Sequence, residues 1–275
     1  MEVCLFVRMP ESTPVNPAEA GLEVKTYFVR ERNALLTRAN FSDLFVDYYL
    51  HLSDQKLKPE PEHGEMFKRA LAAFTLHCAS QPRNVLTAWT MNYQQPLMNF
   101  FLNGDNNFGS ITGRIFTENV RQMPEGLLSA DVIRGRGEMH RSAVNITGGD
   151  PFAAVEMFYA QSEQRAARYF ETGEESYVMI TEHPDCDLEW LRGLTTEDVA
   201  QLDDTETLTL METRAERWHC GCNQERMMQV LLPSMQQDAE ALFAEDQKIE
   251  IRCPRCAGRH VVTREAMEAY AEANA

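Results

Sequence analysis

Apolar positions change their period along the chain, and each change marks an element. "VKTYFV" (24–29) reads as a strand. Phe41, Leu44, Phe45, Tyr48 and Leu52 then recur at helical spacing. A polar loop, "KLKPEPEHG" (56–64), separates them from Met66, Phe67, Ala70, Leu71 and Phe74, which mark a second helix. From Val85 to Ile146 the period turns β-like. "NVLTAWTMNY", "PLMNFFL", "SITGRIF", "DVIRG" and "SAVNI" are separated by turn residues, with a hairpin-type "NGDNN" at 103–107. "GGDP" (148–151) opens a helix: Asp150 suits the cap, Pro151 the first turn, and Phe152, Val155 and Tyr159 share a face. "RYF" and "SYVMI" are expected to pair around "ETGEE".

Beyond Ile180 the apolar pattern thins. "LEWLRGL" and "TTEDVAQL" read as short helices, the second started by Thr195 or Thr196 with Asp198 nearby. From Trp218 a denser pattern resumes. "NQERMMQVLL" is expected to be a helix stopped by Pro233, and "SMQQDAEALFAED" another, with Ser234 and Gln237 spaced as a capping box. "KIEIRC" alternates, "CPRCAG" turns, "HVVT" returns as a strand and "TREAMEAYAEA" closes as a helix. The fold class is α+β. A loose proline-marked arm (1–21) precedes a mixed sheet-and-helix domain (22–180). A partly helical linker (181–217) leads to a small helix–helix–hairpin–helix module (218–275).

Charge sharpens this division. The chain of 275 residues has a formal net charge of −16, which argues against nucleic acid as a partner, because phosphate binding needs clustered Lys and Arg. From Glu171 to Glu212 thirteen acids face one base, Arg192. Such a self-repelling stretch predicts an exposed, weakly held linker, open to proteases and more so at low salt. No apolar run of about 18 residues predicts a membrane span. The opening "MEVCLFVRMPESTP" lacks the basic front and long apolar core of a signal peptide. These features predict a cytoplasmic protein whose thiols stay reduced, so close cysteine pairs point to metal before structural disulfides.

Four of the seven cysteines form two such pairs: Cys220 and Cys222 as C-x-C, then, further along, Cys253 and Cys256 as C-x-x-C. Two chelating pairs flanked by strands predict a Cys4 site for one zinc ion. Pro254 pre-sets one backbone angle of the second loop, and Gly258 is expected to relax its exit so that amides turn toward the sulfurs. His219 and His260 are expected to stay outside the first shell, which four thiolates fill. A module this small rarely draws more than about 3–5 kcal/mol from its core, whereas structural zinc supplies roughly 10–16 kcal/mol. A disulfide between residues i and i+2 closes a tiny, strained ring, and strained disulfides are readily reduced and re-formed. The chemistry permits a reversible switch between a zinc-bound folded module and an oxidised, metal-free one. Elsewhere Cys4 sits in the arm and Cys78 ends an apolar helix as a core residue. Cys186 lies in "HPDCD", where acidic neighbours are expected to raise its pKa; its H-x-x-C spacing from His183 is a weak ligand signal. Met227, Met228, Met235 and Met267 read as core in the folded tail and as adaptable binding surface once exposed. The "RGRGE" stretch is not a phosphate loop, "QSEQ" has no base partner, and no catalytic constellation is present, so an enzyme is not expected.

The pattern of C-x-C followed by C-x-x-C at the C-terminus resembles the redox-regulated heat-shock chaperonin family of thirty-three kilodaltons. "HRSAVNITGGDPFAAVEMFYAQSEQRAARYF" (140–170) and "AEDQKIEIRCPRC" (244–256) are similar to that family as well. The resemblance implies an ATP-independent holdase of the oxidative stress response, inactive when reduced and zinc-bound. Oxidation would pair Cys220 with Cys222 and Cys253 with Cys256, release zinc, unfold the tail and linker, and form homodimers that bind unfolding client proteins. The chain departs from the family at "NYQQPLM", which lacks a glycine-rich turn, at Arg32-Asn33, and in a shorter, less apolar linker. The rival reading is a non-redox zinc ribbon that tethers the α+β domain to a protein partner. In 218–275, six basic residues against nine acids make phosphate a poor partner for it.

Overall fold

The computed structural model describes residues 21–244 and 246–274. It divides into two compact units, the larger running through His219 and the smaller beginning at Cys220. The arm read for residues 1–21, with Cys4, lies outside the described residues apart from Gly21.

The larger unit is built on β1 (Leu22–Val29), β2 (Ala34–Asn40), α1 (Ser42–Asp54), α2 (Pro61–Ser80), β3 (Val85–Gln94), β4 (Leu97–Asp105), β5 (Ser110–Phe116), β6 (Gly126–Arg134) and β7 (Met139–Ile146). These are followed by α3 (Pro151–Phe158), a π turn (Tyr159–Glu163), β8 (Ala167–Gly173) and β9 (Ser176–Glu182). The α+β expectation holds, and most elements fall where periodicity places them. α2 starts earlier than expected: Pro61 occupies its first turn, where its missing N–H costs nothing, so half of the expected loop is helix. The β4–β5 turn comes later than "NGDNN" suggests. Asp105 accepts from the Asn107 amide at 3.0 Å and so makes the bend itself, while Gly104 stays in the strand. There a Cβ would sit 2.7 Å from the Cys78 sulfur. Asp150 caps α3 by accepting from the Phe152 amide. β8 and β9 form the expected hairpin. The β3–β4 turn holds a cis Gln95–Pro96 bond.

The segment read as an exposed linker is the main correction. Three short helices, α4 (Leu188–Gly193), α5 (Thr196–Ala200) and α6 (Leu202–Thr205), are followed by β10 (Leu208–Trp218). The first two helices were expected, and Thr195 and Asp198 close the capping box that starts α5. Their packing was not expected. Leu191, Leu194, Val199 and Leu202 are buried against Val29, Leu36, Phe170, Val178 and Ile180. On β9, Tyr177 and Met179 join the opposite cluster, with Phe41, Phe45, Phe74 and Phe152 from the helices. Period-2 alternation thus sends successive β9 residues into two cores, and the acidic helices cover the second.

Arginines offset their charge. Arg32 donates to Asp187 at 2.8 Å and to Glu206 at 2.9 Å. Arg38 holds Asp203 with two bonds of 2.6 and 2.9 Å. Arg168 donates to the Arg192 carbonyl at 2.7 Å, at the end of α4. β10 then enters the sheet rather than leaving it. The ten-stranded order is β7-β6-β3-β4-β5-β10-β1-β2-β9-β8. β10 runs antiparallel to β1 over eight rungs and meets β5 in a parallel pairing at Arg217 and Trp218, so it joins the two halves of the sheet. Trp218 does not open the last module: its ring packs 5.0 Å from that of Tyr48 and 5.5 Å from that of His51.

The smaller unit holds α7 (Gln224–Gln237), α8 (Ala239–Phe243), β11 (Lys248–Arg252), β12 (Arg259–Thr263) and α9 (Arg264–Ala273). The helix–helix–hairpin–helix order matches expectation, but the helix junction does not. α7 runs through Pro233 and ends at Gln237, and Asp238, not Ser234, caps α8 by accepting from the Ala241 amide at 2.9 Å. Proline removes only one helical hydrogen bond, and an interrupted helix can continue past it.

Candidate metal centre

The C-x-C turn is formed by Gly221 in the left-handed region, at φ +61°. Arg226, in the first turn of α7, donates to the Gly221 carbonyl at 2.5 Å. The second pair sits in the β11–β12 turn. The Cys253 amide donates to the Gly258 carbonyl at 2.8 Å, and the Ala257 amide to the Cys253 carbonyl at 2.9 Å. The left-handed residue of this turn is Ala257, at φ +61°. Gly258 has another role: a Cβ there would lie 3.2 Å from the Cys256 sulfur and 3.3 Å from that of Cys222. Glycine leaves room for sulfurs from both pairs, and its amide donates to the Cys256 sulfur at 3.3 Å.

These two turns bring the four predicted residues together. The Sγ atoms of Cys220, Cys222, Cys253 and Cys256 all lie within 4.8 Å of one another. The Cys220–Cys253 and Cys222–Cys256 separations are both 3.6 Å, too long for a disulfide and close to the edge of a ZnS4 tetrahedron, about 3.8 Å for Zn–S bonds of about 2.3 Å. The group can hold a metal ion, and its soft donors suit zinc. The sulfurs polarise one another. Neighbouring sulfurs first lower Cys253 and Cys222, the latter to about 6, and raise Cys220 and Cys256. Four partly buried thiols cannot all ionise together unless a cation joins them.

The site is continuous with the module's core. Met227, Phe243, Cys253, Cys256, Val262 and Met267 form its buried cluster, with Met228 and Met235 packed against it. The expectation that these methionines are core in the folded state is met. His260 lies beside the site, with Nε2 3.2 Å from the Cys222 sulfur. His219 donates its backbone amide to the Ile111 carbonyl in the larger unit. Cys78 is buried and its thiol pKa is pushed well up by that burial. Cys186 is half-buried; its pKa is raised, first by burial, with a hydrogen bond from the His183 backbone opposing the rise and Glu182 and Asp187 adding to it as expected.

The fold and the sulfur cluster define an α+β protein with a C-terminal four-cysteine module suited to zinc. A family model described as "Hsp33 protein" matches residues 171–263, which include all four cysteines. The 33 kDa chaperonin of Pseudomonas aeruginosa (strain LESB58) is 25% identical over 173 residues, 50% of this chain and 56% of that relative. That of Caldanaerobacter subterraneus subsp. tengcongensis is 30% identical over 78 residues, 28% of this chain and 26% of the relative. The chain spans a little over half the length of the Pseudomonas relative. The crystal structure of the 33 kDa chaperonin (heat shock protein 33 homolog) from Thermotoga maritima shares the fold. Its TM-score is 0.70 at 14% identity, covering 93% of this chain and 99% of that one. Family match, curated relatives and fold agree in supporting a divergent member of the Hsp33 family. The curated relatives are named as 33 kDa chaperonins. Among the described residues, no helix is long and apolar enough to cross a membrane.

Proposed function

We propose that the protein is a redox-regulated, ATP-independent holdase of the cytoplasm. It rests while reduced and zinc-bound, and oxidation activates it to bind unfolding proteins. The observation that carries this reading is that the sulfur cluster and the module's core share residues: Cys253 and Cys256 belong to the buried cluster itself. Zinc bound there would hold four sulfurs as thiolates and supply most of the module's cohesion, roughly 10–16 kcal/mol in metal-dependent domains of this size.

The proposed switch uses Cys220 with Cys222 and Cys253 with Cys256. In each pair one thiolate attacks peroxide oxygen, becoming a sulfenic acid with loss of hydroxide. The partner thiolate then attacks that sulfur, closing the disulfide and releasing a second hydroxide. One peroxide is reduced per disulfide. Each bridge closes a loop of three or four residues, so it needs no folded scaffold. Pairing removes the metal's ligands and breaks the core, exposing Met227, Met228, Leu231, Leu232, Leu242 and Phe243. Adaptable methionine-rich surface suits unrelated clients, and the net charge of −16 helps to keep complexes soluble. Family likeness supports a homodimer in the active state.

Light scattering of a thermally unfolding client should test this, using reduced, peroxide-treated and re-reduced protein. Suppression only after peroxide, reversed by thiol, is expected. Equal suppression in all three states would reject the switch. Suppression in none would reject the holdase in favour of a zinc ribbon that binds a folded protein partner.

A further inference from the structure

His260 is the residue beside the sulfur cluster that ligand counting leaves without a role. On β12, alternation puts His260 on the same face as the fully buried Val262, while Arg259, Val261 and Thr263 face outward. Pairing with β11 sets His260 opposite Ile251, so its position is fixed by the hairpin. The ring's Nε2 comes within 3.2 Å of the Cys222 sulfur. Gly258 allows this approach: a Cβ there would stand 3.3 Å from that sulfur and 3.7 Å from the His260 Nε2. When Cys222 is the thiolate that a metal would bind, its sulfur can only accept, so Nε2 would then carry the proton and donate it.

We propose that His260 is a positioning residue that locks the C-x-C pair into the cluster by donating its Nε2–H to Cys222. This rests on the cluster being a metal site. The Cys256 sulfur receives its N–H from Gly258, within its own turn. Cys222 instead receives one from a side chain 38 residues away. The donor withdraws charge from the Cys222 sulfur and holds it 3.6 Å from Cys256. The first pair's grip on metal therefore depends on the second pair's hairpin staying folded. Such outer donors orient ligands and tune their hold on a metal. Loosening the hairpin releases the donor and leaves Cys222 more nucleophilic.

The test uses the full-length reduced protein loaded with zinc, with H260L, which lacks the donor, and H260Q, whose amide Nε2 can replace it. Zinc transfer to a chromophoric chelator and alkylation of Cys222, mapped by mass, are followed without any client. We expect H260L to lose roughly 10–100-fold in zinc affinity, with faster alkylation of Cys222 than of Cys256, and H260Q to stay within a few-fold of wild type. Wild-type retention by H260L would overturn the proposal, as would equal loss in both variants. Should H260L fail to fold at saturating zinc, H260Q decides alone: near-native retention supports the donor, and failure overturns it. A wild-type chain that takes up no zinc overturns the metal reading itself, before the variants are compared. Failure of the client assay leaves these readouts unchanged, so it bears only on the holdase.

Discussion

In the larger unit β9 is buried from both sides: Tyr177 and Met179 face the helical core, and Val178 and Ile180 face the leucines of the acidic helices. In the cysteine module the buried cluster is Met227, Phe243, Cys253, Cys256, Val262 and Met267. The first region closes its core with apolar side chains, and arginines hold its acidic cover in place. The second places reactive sulfur among its few buried groups. A large domain gains enough from apolar burial to stand alone, whereas a small one depends on an added cross-link. Under the proposed reading, the same dependence that weakens the module would let it act as a sensor.

Zinc removal under reducing conditions should break this comparison most visibly. Chelation is expected to abolish hydrogen-exchange protection of α7, β11, β12 and α9, a loss of roughly 10 kcal/mol or more. β3, β4 and β9 should keep theirs. Retained protection in α7 and α9 would mean that the module's own core suffices.

A smaller effect tests the acidic cover. Leu191 is fully buried on α4, and Leu191→Ala should cost about 2–5 kcal/mol. Amides of residues 188–205 should exchange faster while the module's zinc affinity stays unchanged. Wild-type exchange would return the segment to the exposed linker that its charge suggested.

That cover shows where the sequence was legible and where it was not. Four thiols at C-x-C and C-x-x-C spacing announced the site, because chelate geometry is local and depends on few residues. Most helices and hairpins of the larger unit were readable from period alone. The continuous apolar run "YVMI" was a sign that β9 is covered on both faces, and Leu191, Leu194, Val199 and Leu202 were the available cover. Thirteen acids outweighed that sign when only charge density was considered. The arginines that offset them, Arg32 and Arg38, lie near the start of the larger unit, far from the acids in sequence, and only the folded topology brings them close. β10 was harder still. "LTLMETRAERW" carries Glu212, Arg214, Glu216 and Arg217 and lacks a strand's apolar alternation, so its place depends on pairing with β1 rather than on its own pattern. His260 was named from the sequence as a residue outside the first shell, but its contact with Cys222 depends on the folded hairpin.

Two buried groups give the larger unit opposing pH dependences. Glu216, on β10, is 1% exposed, and among the described residues its Oε2 has no hydrogen-bond partner. Arg214 donates instead to the Gln81 carbonyl and to Glu212. Burial raises the Glu216 pKa to about 7, with Asp105 and Glu212 adding to the rise and Arg214 and Arg83 opposing it. A raised carboxyl favours the fold below its unfolded pKa of about 4.5, and that advantage is lost as pH rises to about 7. His77 behaves oppositely. It is buried, bonded through Nδ1 to the Tyr159 hydroxyl at 2.7 Å, and lowered to about 3 by burial first and Arg165 second. Its contribution is present above about pH 6.5 and lost as pH falls below that, by about 1.4 kcal/mol per unit. Glu216→Gln should therefore stabilise the larger unit by roughly 3 kcal/mol at pH 8 and by little at pH 4.5. His77→Gln should flatten the acid limb. Urea midpoints from pH 4.5 to 8 check both, and an E216Q gain independent of pH would remove ionisation as the cause.

The smallest effect decides between the two readings of the acidic segment. If self-repulsion dominates, neutralising an acid there should stabilise it. If the arginines dominate, the same change should destabilise it. Asp203 is suited to the test because Arg38 holds it with two bonds of 2.6 and 2.9 Å and lowers its pKa. The Asp203 side chain is 60% exposed and that of Arg38 is 30% exposed, so solvent screens the pair and its worth is about 0.2–1 kcal/mol. Contact at hydrogen-bond distance still exceeds repulsion from acids spread over neighbouring turns, because Coulomb energy falls with separation and the Debye length at 0.15 M salt is only about 8 Å. We therefore expect Asp203→Asn to loosen α6, read as faster exchange of residues 200–206. The same substitution in an Arg38→Ala background should be neutral or slightly stabilising. The coupling energy from this cycle should shrink in 1 M salt, where the Debye length is about 3 Å. A stabilising D203N in the presence of Arg38 would show that repulsion governs the segment. Its attachment to the sheet would then rest on Leu191, Leu194, Val199 and Leu202 alone.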